Sequence, residues 1–199
     1  MELNNRQKQA KKTKEKIFEV STSLIEKKGY HNVTVSEICK KANVAKGTFY
    51  HHFNSKKDII VKTYQETDEY FKKIAKNEIN DYDSLTQIKE FIRHQIIYAE
   101  SSSFEYVKEV YKSQIDSGNK FFTSKNRPIF KLLKSYVEKA QREKKLTVDK
   151  TADYITDFLL RFSRGMIYDW CLHDGNYKLQ ARTMEDLEEI ISIFKNEND

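Results

Sequence analysis

The apolar positions of the chain recur three and four residues apart, which is the spacing of one face of an α-helix. The first such run ends at Gly29, and its inward positions are Ile17, Ser21, Leu24 and Ile25. A second, short run begins at Thr34, which with Glu37 forms the Thr-x-x-Glu pattern of a capping box. It ends at Asn43, a residue that tolerates the left-handed backbone of a helix end. The pattern therefore predicts two helices joined by a short loop.

Two further helices are predicted directly after Asn43. One begins near Ala45 and turns Phe49 and Phe53 inward, because these residues are four positions apart. The next begins at a capping signal at Ser55 and continues to about Ile79 without an internal Gly or Pro. We therefore expect one long helix to follow the short ones.

The remainder of the chain has the same character. With 5 Gly and 1 Pro in 199 residues and few alternating apolar and polar runs, an all-α protein is expected. A turn cluster over 80–84, a serine run over 101–103 and a polar segment over 115–128 divide this part. Pro128 suits the first turn of a helix. The further predicted helices cover about 85–99, 104–111, 128–140, 149–172 and 185–194.

The segment from Thr34 to Phe53 combines two short amphipathic helices with a tight turn. The second helix carries outward groups that can contact DNA. A helix-turn-helix has this arrangement and places its second helix in the major groove. The segment therefore predicts a DNA-binding protein.

The stretch from Gly29 to Tyr64 resembles the DNA-binding domain of the TetR-type transcriptional repressors. One departure is Cys39, where the family usually carries the similarly small Ala. The matching pieces are Gly29-Tyr30, Thr34 to Ile38, Ala42 to Val44, Lys46 to Tyr50, His52-Phe53 and Ser55 to Asp58.

The resemblance implies both an architecture and a function. We expect a three-helix DNA-binding domain over residues 1–54, a connecting helix from residue 55, and a helical ligand-binding and dimerisation domain over 55–199. The implied function is a homodimeric repressor that a small-molecule inducer releases from a palindromic double-stranded DNA operator. An alternative is a regulator or accessory factor of the same type whose input is a protein partner.

The candidate DNA contacts are assigned from the positions of the residues in the predicted helix-turn-helix. Lys46 and Gly47 begin the recognition helix, where a lysine can donate to guanine and a glycine lets the backbone approach. Tyr50 and Lys56 suit phosphate oxygens. The complete set of predicted DNA-binding residues is Thr34, Lys46, Gly47, Thr48, Tyr50, His51 and Lys56.

The distribution of charge also indicates that the N-terminal part of the chain binds DNA. Residues 1–62 carry 14 Lys and Arg against 6 Asp and Glu, whereas the rest of the chain is slightly acidic. We expect residues 1–8 to be loose. A basic arm can contact phosphates or the minor groove, and a disordered solubilising tail is the equal alternative. The arm comprises Arg6, Lys8, Lys11, Lys12 and Lys14.

The 12 Tyr and 12 Phe residues suit a site for a small lipophilic or aromatic effector. In the family, such a site lies among the middle helices. Any one aromatic residue at helical spacing is nevertheless more often part of a core. The predicted ligand-binding residues are Tyr64, Phe91, Gln95, Tyr98, Phe104, Tyr111, Tyr136, Phe162 and Met166.

The helix predicted over 149–172 has two offset apolar stripes and therefore needs two partners. In TetR-type proteins the last two long helices of each subunit pair in a four-helix dimer interface, and the resemblance implies the same here. The alternative is that these stripes serve the core of one chain. The predicted interface residues are Leu160, Ile167, Cys171, Leu187, Ile191 and Phe194.

Several other functions are not indicated. We find no phosphate-binding glycine loop, nucleophile elbow or metal-protease motif, so we expect no enzyme, no cofactor and no metal. Cys171-Leu172-His173 is too small a motif to predict a metal site. No apolar run reaches the length of a membrane span, and we expect a cytoplasmic protein without a membrane partner.

Overall fold

The computed structural model describes residues 4–116 and 121–196, and this part of the chain is helical, as predicted. One isolated antiparallel bridge joins Leu146 to Lys195. The helices are α1 (Asn5–Lys28), α2 (Val35–Ala42), α3 (Lys46–His52), α4 (Lys57–Ile74), α5 (Ser84–Glu100), α6 (Phe104–Asp116), α7 (Pro128–Arg142), α8 (Ala152–Leu172) and α9 (Leu179–Ser192).

Helix α2 begins and ends where its capping residues predict. The Thr34 hydroxyl accepts from the Glu37 amide at 3.2 Å, and Asn43 takes a left-handed conformation with φ of 52°. The Glu37 carboxylate does not complete a capping box, because it accepts a hydrogen bond from Lys28 instead. That bond lowers the pKa of Glu37 and ties α2 to the end of α1.

Helix α4 differs from the predicted continuous helix at both ends. It begins at Lys57 rather than Ser55, after a turn in which Asp58 accepts from the Asn54 amide at 2.8 Å and from the Ser55 hydroxyl at 3.2 Å. Its last turn continues as a π-helix over Ala75–Ile79. The helical path is unbroken, but its final turn is wider than that of an α-helix.

Helix α9 begins at Leu179, well before the predicted start at Glu185. The Glu100 carboxylate at the end of α5 accepts from the amides of Leu179 and Gln180 at 2.7 and 3.4 Å. These are two of the amides that the first turn of a helix leaves without an internal partner. The start of α9 is therefore set by a distant residue.

The chain divides into two compact units. The first contains α1 to α3, α4 up to Gln65, and α6 from Glu105. The second contains α4 from Glu66, together with α5, α7, α8 and α9. The predicted division at residues 54 and 55 differs from this one, because α6 and the first half of α4 group with the helix-turn-helix.

Each unit has its own apolar core. In the first, Ile17, Ile38 and Phe49 are fully buried, and Tyr106 of α6 joins them. The Tyr106 and Thr63 hydroxyls are hydrogen bonded, which fixes α6 to α4 inside this unit. The core of the second unit surrounds Phe91 and is formed by residues of α4, α5, α7, α8 and α9.

Candidate nucleic-acid interface and effector site

Helix α3 presents polar groups on one side and is held by a buried ring on the other. Phe49 is fully buried, and its ring centroid lies 5.8 Å from that of Phe53. Tyr50 projects outward with 52% of its surface exposed. Because Phe49 fixes the rotation of the helix, the opposite face is displayed in one orientation. Lys46, Gly47 and His51 are exposed on α3 and Thr48 is half-buried.

The beginning of α3 is open to a large ligand. A Cβ atom built on Gly47 would meet no atom within 4 Å. Ala45, the residue that precedes the helix, provides no side-chain cap. The first amides of α3 therefore have no side-chain acceptor at their cap, and the start of a helix with the exposed Lys46 favours an anionic partner. The exposed Thr34 hydroxyl accepts the α2 cap and can still donate to a phosphate.

Lys56 has contacts inside the unit rather than an outward position. Its Nζ donates to the carbonyl oxygens of Val33, at 2.7 Å, and of Tyr30. It also lies 4.0 Å from the centroid of the Tyr30 ring. Burial lowers the pKa of Lys56. The Lys56 charge therefore holds the loop before α2, and this geometry does not favour its predicted phosphate contact.

Residues 4–8 cap and begin a helix, which corrects the expectation of a loose segment there, and residues 1–3 lie outside the described part of the chain. The Asn4 side chain accepts from the Gln7 amide at 2.8 Å, and the Gln7 side chain accepts from the Asn4 amide at 3.0 Å. This reciprocal capping box starts α1 at Asn5. The Asn-x-x-Gln pattern was the sequence signal for it. Arg6, Lys8, Lys11, Lys12 and Lys14 all lie on α1 and are exposed.

The structure separates the predicted ligand-binding residues. Tyr111 belongs to the first unit, and the side chain of Tyr64 is outside the described part of the structure. Phe91, Gln95, Tyr98, Phe104, Tyr136, Phe162 and Met166 belong to the second unit. Tyr111 is therefore not grouped with the larger set.

Phe71, Phe91 and Tyr136 form a contiguous set of aromatic rings in the second unit, which we call the aromatic wall. The Phe91 ring centroid lies 4.7 Å from that of Phe71 and 6.1 Å from that of Tyr136. The Tyr136 hydroxyl is buried and has no hydrogen-bond partner among the described residues. Burial raises the pKa of Tyr136. Leaving such a buried polar group without a partner costs about 1–3 kcal/mol of folding stability.

Other predicted ligand residues make contacts within the helical framework. The Gln95 side-chain oxygen accepts from the Ser163 hydroxyl at 2.9 Å, which links α5 to α8. Phe104 packs edge-on against Trp170, with ring centroids 5.5 Å apart. Tyr98 lies beside Tyr70 with ring centroids 5.0 Å apart. Phe162 and Met166 are half-buried on α8.

A polar cluster that sequence reasoning missed lies beside the π-helix. His94 Nδ1 is 3.3 Å from the Tyr70 hydroxyl, and His94 Nε2 is 3.5 Å from a Glu78 oxygen. Burial, followed by the charge of Arg93, lowers the pKa of His94. The imidazole is therefore neutral near pH 7. Its partners come from separate helical elements, so no local sequence pattern connects them.

The residues predicted for the dimer interface are largely covered within the single chain. Leu160, Ile167 and Leu187 are at most 4% exposed within the single chain. Leu160 and Leu187 belong to the apolar core around Phe91. Ile191 and Phe194 are likewise buried, and Cys171 is half-buried. Leu160, Leu187, Ile191 and Phe194 are therefore core residues of the single chain.

A different face of α8 is turned outward. Its members are alternately four and three residues apart, which is the spacing of a helix-pairing seam. Gly165 lies at its centre, and a Cβ built there would meet no atom within 4 Å. The face consists of Tyr154, Phe158, Arg161, Gly165, Tyr168 and Leu172, of which Phe158 is half-buried and the others are exposed. We call these residues the outer stripe.

No helix among the described residues is both long and apolar enough to cross a membrane.

The fold as a whole is shared with a solved repressor. Thermus thermophilus FadR, a TetR-family transcriptional repressor in complex with lauroyl-CoA, aligns with a TM-score of 0.71 at 14% identity. The alignment covers 89% of this chain and 93% of that chain. At this identity the likeness establishes the fold.

Sequence relatives match the N-terminal part. The Transposon Tn10 TetC protein of Escherichia coli is 38% identical over 63 residues, which are 32% of each chain. The fatty acid metabolism regulator protein of Bacillus subtilis (strain 168) is 40% identical over 50 residues, covering 25% of this chain and 26% of that protein. The chain thus matches about a third or less of the length of these relatives.

The matched region coincides with the helix-turn-helix and its supporting helices. Residues 17–62 match the family of bacterial regulatory proteins described as the tetR family. This segment runs from the buried half of α1 through α2 and α3 into α4. With the resemblance of Gly29 to Tyr64, this match shows that the N-terminal segment of the chain is similar to the DNA-binding domain of the tetR family of bacterial regulatory proteins.

Proposed function

We propose that this chain is a dimeric transcriptional repressor that binds a palindromic DNA operator and is released from it by a small lipophilic effector. The observation that carries the proposal is the open, positively charged beginning of α3. Lys46 and Gly47 are exposed there, and the buried Phe49 fixes the helix beneath them. That arrangement suits insertion of α3 into the major groove.

The roles of the α3 residues follow from their chemistry. Lys46 donates to the acceptor atoms of guanine, and Gly47 allows the backbone to approach the bases. Thr48 and His51 extend along the groove. The Tyr50 and Thr34 hydroxyls donate to phosphate oxygens on either side. Lys56 supports this surface indirectly, through its contacts with the loop that precedes α2.

Dimerisation is proposed to use the outer stripe of α8. The stripe has the periodicity of a helix-pairing seam, and Gly165 allows two copies of α8 to approach closely at its centre. Tyr168 and Leu172 supply exposed apolar surface toward one end. A two-fold pairing of this kind would present two copies of α3 to two half-sites.

The effector is proposed to bind in the second unit, against the aromatic wall around Phe91 and Tyr136. An apolar molecule that carries one hydrogen-bonding group would satisfy the buried Tyr136 hydroxyl. T. thermophilus FadR, whose fold is similar, was solved with lauroyl-CoA. Lauroyl-CoA is therefore the first probe to test.

Helix α4 offers a route from effector to DNA, because it is one continuous helix that contributes to both units. In the second unit, Arg127 at the start of α7 binds both carboxylate oxygens of Asp68 at 3.1 Å. A shift of α7 would therefore displace the second half of α4. From there α4 continues without a break to its first turn, which is next to α3 in sequence.

The proposal is tested by selection from a randomised duplex library, followed by titration of the selected duplex with and without lauroyl-CoA. Enrichment of a palindrome, and its release by lauroyl-CoA, are the expected results. Enrichment without release would remove lauroyl-CoA as an effector. Failure of any sequence to be enriched would contradict the DNA-binding function.

A further inference from the structure

The first three turns of α1 lie before the segment that matches the family, which begins at residue 17. We call Asn5–Lys16 the N-terminal extension. It has no buried residue; Ala10 and Thr13 are half-buried and the rest are exposed. Its charged residues are Glu15 and six basic ones, namely Arg6, Lys8, Lys11, Lys12, Lys14 and Lys16.

Such a helix is not explained by the core of the protein. A helix that is polar on all sides gains little from internal packing. The Asn4 and Gln7 capping box defines its start, but a cap contributes only about 1 kcal/mol. The high density of positive charge therefore indicates an external polyanion as its partner.

The N-terminal extension passes beside the end of the recognition helix. Lys14 Nζ lies 5.6 Å from the centroid of the Phe53 ring, and Phe53 is the residue that ends α3. The neighbouring His52 has its pKa lowered by burial first, and then by the charges of His51 and Lys14. The side of α1 that carries Lys14 therefore lies next to the end of α3.

Helical spacing divides the lysines of the N-terminal extension between two sides. Lys11 and Lys14 are three residues apart, so they lie about 60° from each other around α1, and Lys14 is the member that approaches Phe53. Lys12 and Lys16 are four residues apart and lie on the opposite side. The first pair is therefore centred on the side of α1 where Lys14 lies near the end of α3, and the second pair is centred on the side away from it.

We propose that the N-terminal extension binds the DNA backbone that flanks the bases read by α3, with Lys11 and Lys14 contacting phosphates. This inference rests on the proposed DNA-binding function. At about 1.5 Å per residue the extension is about 18 Å long. This length corresponds to about five base pairs at about 3.4 Å each, so each half-site is lengthened by that amount.

The existing contact of Lys11 does not oppose this role. Its Nζ lies 3.9 Å from a Glu15 oxygen, and both side chains are largely exposed. An exposed pair of this kind is weak. Phosphate oxygens can replace the Glu15 carboxylate, and release of condensed counterions from DNA then favours the complex.

Two double variants of the full chain test the proposal. Lys11→Ala/Lys14→Ala and Lys12→Ala/Lys16→Ala remove the same charge from opposite sides, and alanine maintains the helix. The salt dependence of binding is measured with a long random-sequence duplex. Each lost phosphate contact lowers the slope of log affinity against log salt by about 0.9. We expect the first variant to lose nearly two slope units and the second less than half as much.

Equal losses in the two variants would overturn the proposal, because they would indicate a diffuse field that acts without contacts. An unchanged slope in the first variant would also overturn it. Binding of the wild type to vesicles of anionic phospholipid that is lost in the first variant, with its DNA binding unchanged, would assign the surface to a membrane instead. Failure of the wild type to bind any duplex at low salt would instead contradict the proposed function itself.

Discussion

Lys56 lies directly over the ring of Tyr30, with Nζ 4.0 Å from the ring centroid and bonded to the Tyr30 carbonyl oxygen. The loop that leads into α2 is therefore held by a charge from the beginning of the α4 region. We expect Lys56→Ala to lower the free energy of unfolding by about 2 kcal/mol, the scale of hydrogen bonds that involve a charged group. Chemical denaturation measures this loss.

The same variant distinguishes support of the loop from phosphate binding. If Lys56 acts inside the unit, its replacement leaves the salt slope of DNA binding unchanged, whereas a phosphate contact would lower that slope by about 0.9. The adjacent Lys57→Ala variant is the matched control for stability. A normal stability with a reduced slope would return Lys56 to the phosphate-binding residues.

The outer stripe predicts how the dimer responds to a change at Gly165. Within one chain, Gly165→Leu meets open space and replaces a poor helix former, so the helical content should be kept. Between two copies of α8, the added side chain would hold the helices apart. We expect this variant to sediment as a monomer and to bind DNA more weakly.

Ser135→Leu adds similar bulk to an exposed position of α7 and is the control. It should sediment like the wild type. A dimeric Gly165→Leu variant would place the subunit interface away from the outer stripe.

The buried Tyr136 hydroxyl predicts opposite effects on stability and on ligand binding. Tyr136→Phe removes a polar group that lacks a partner, so we expect the free energy of unfolding to be equal or higher. If the hydroxyl bonds the effector, affinity for lauroyl-CoA should fall about tenfold, or about 1.4 kcal/mol. Calorimetry measures both quantities, with the exposed Tyr82→Phe as the control. Unchanged lauroyl-CoA affinity would remove Tyr136 from the effector site.

The pKa of Asp83, lowered from 3.8 to about 2, predicts a pH-dependent contribution to stability. Its carboxylate caps α5, and hydrogen bonds from Thr86 and then Lys145 favour the charged form. A lowered pKa in the folded state means that the contribution is present above about pH 4 and is lost as the pH falls toward 2.

Asp83→Ala should therefore be less stable than the wild type by about 1 kcal/mol at neutral pH, with the difference disappearing near pH 2. Asp83→Asn keeps a capping side chain and should show a smaller loss with less pH dependence. Thermal unfolding across this pH range measures both variants. A constant difference between wild type and Asp83→Ala would show that the charge of Asp83 contributes nothing.

Local signals predicted most of the fold. Thr34, Asn43 and Pro128 act on neighbouring backbone groups, so their positions in the sequence were sufficient to place helix ends. The start of α9 was mispredicted because its amides are bonded by Glu100, far away in the chain. A single sequence contains no signal for such a contact.

Charge and periodicity were less informative for the sites. From the sequence, Lys56 could contact a phosphate or hold a loop in place. Its distances to Tyr30 and Val33 in the structure favour the second role. The apolar stripe that includes Leu160 and Ile167 was predicted to form a subunit interface, with a core as the alternative, and both residues are buried within the single chain. Packing by other helices decides such cases.

Base reading by Lys46 of α3 is tested most directly by the binding of the selected duplex to the wild type and to Lys46→Ala. The variant should keep its helical content, because Lys46 is exposed at the beginning of α3. We predict a loss of about 1–3 kcal/mol on the selected duplex and a much smaller loss on a random one, as expected for a base contact. Equal losses on both duplexes, or none on either, would contradict the claim that Lys46 of α3 reads the bases.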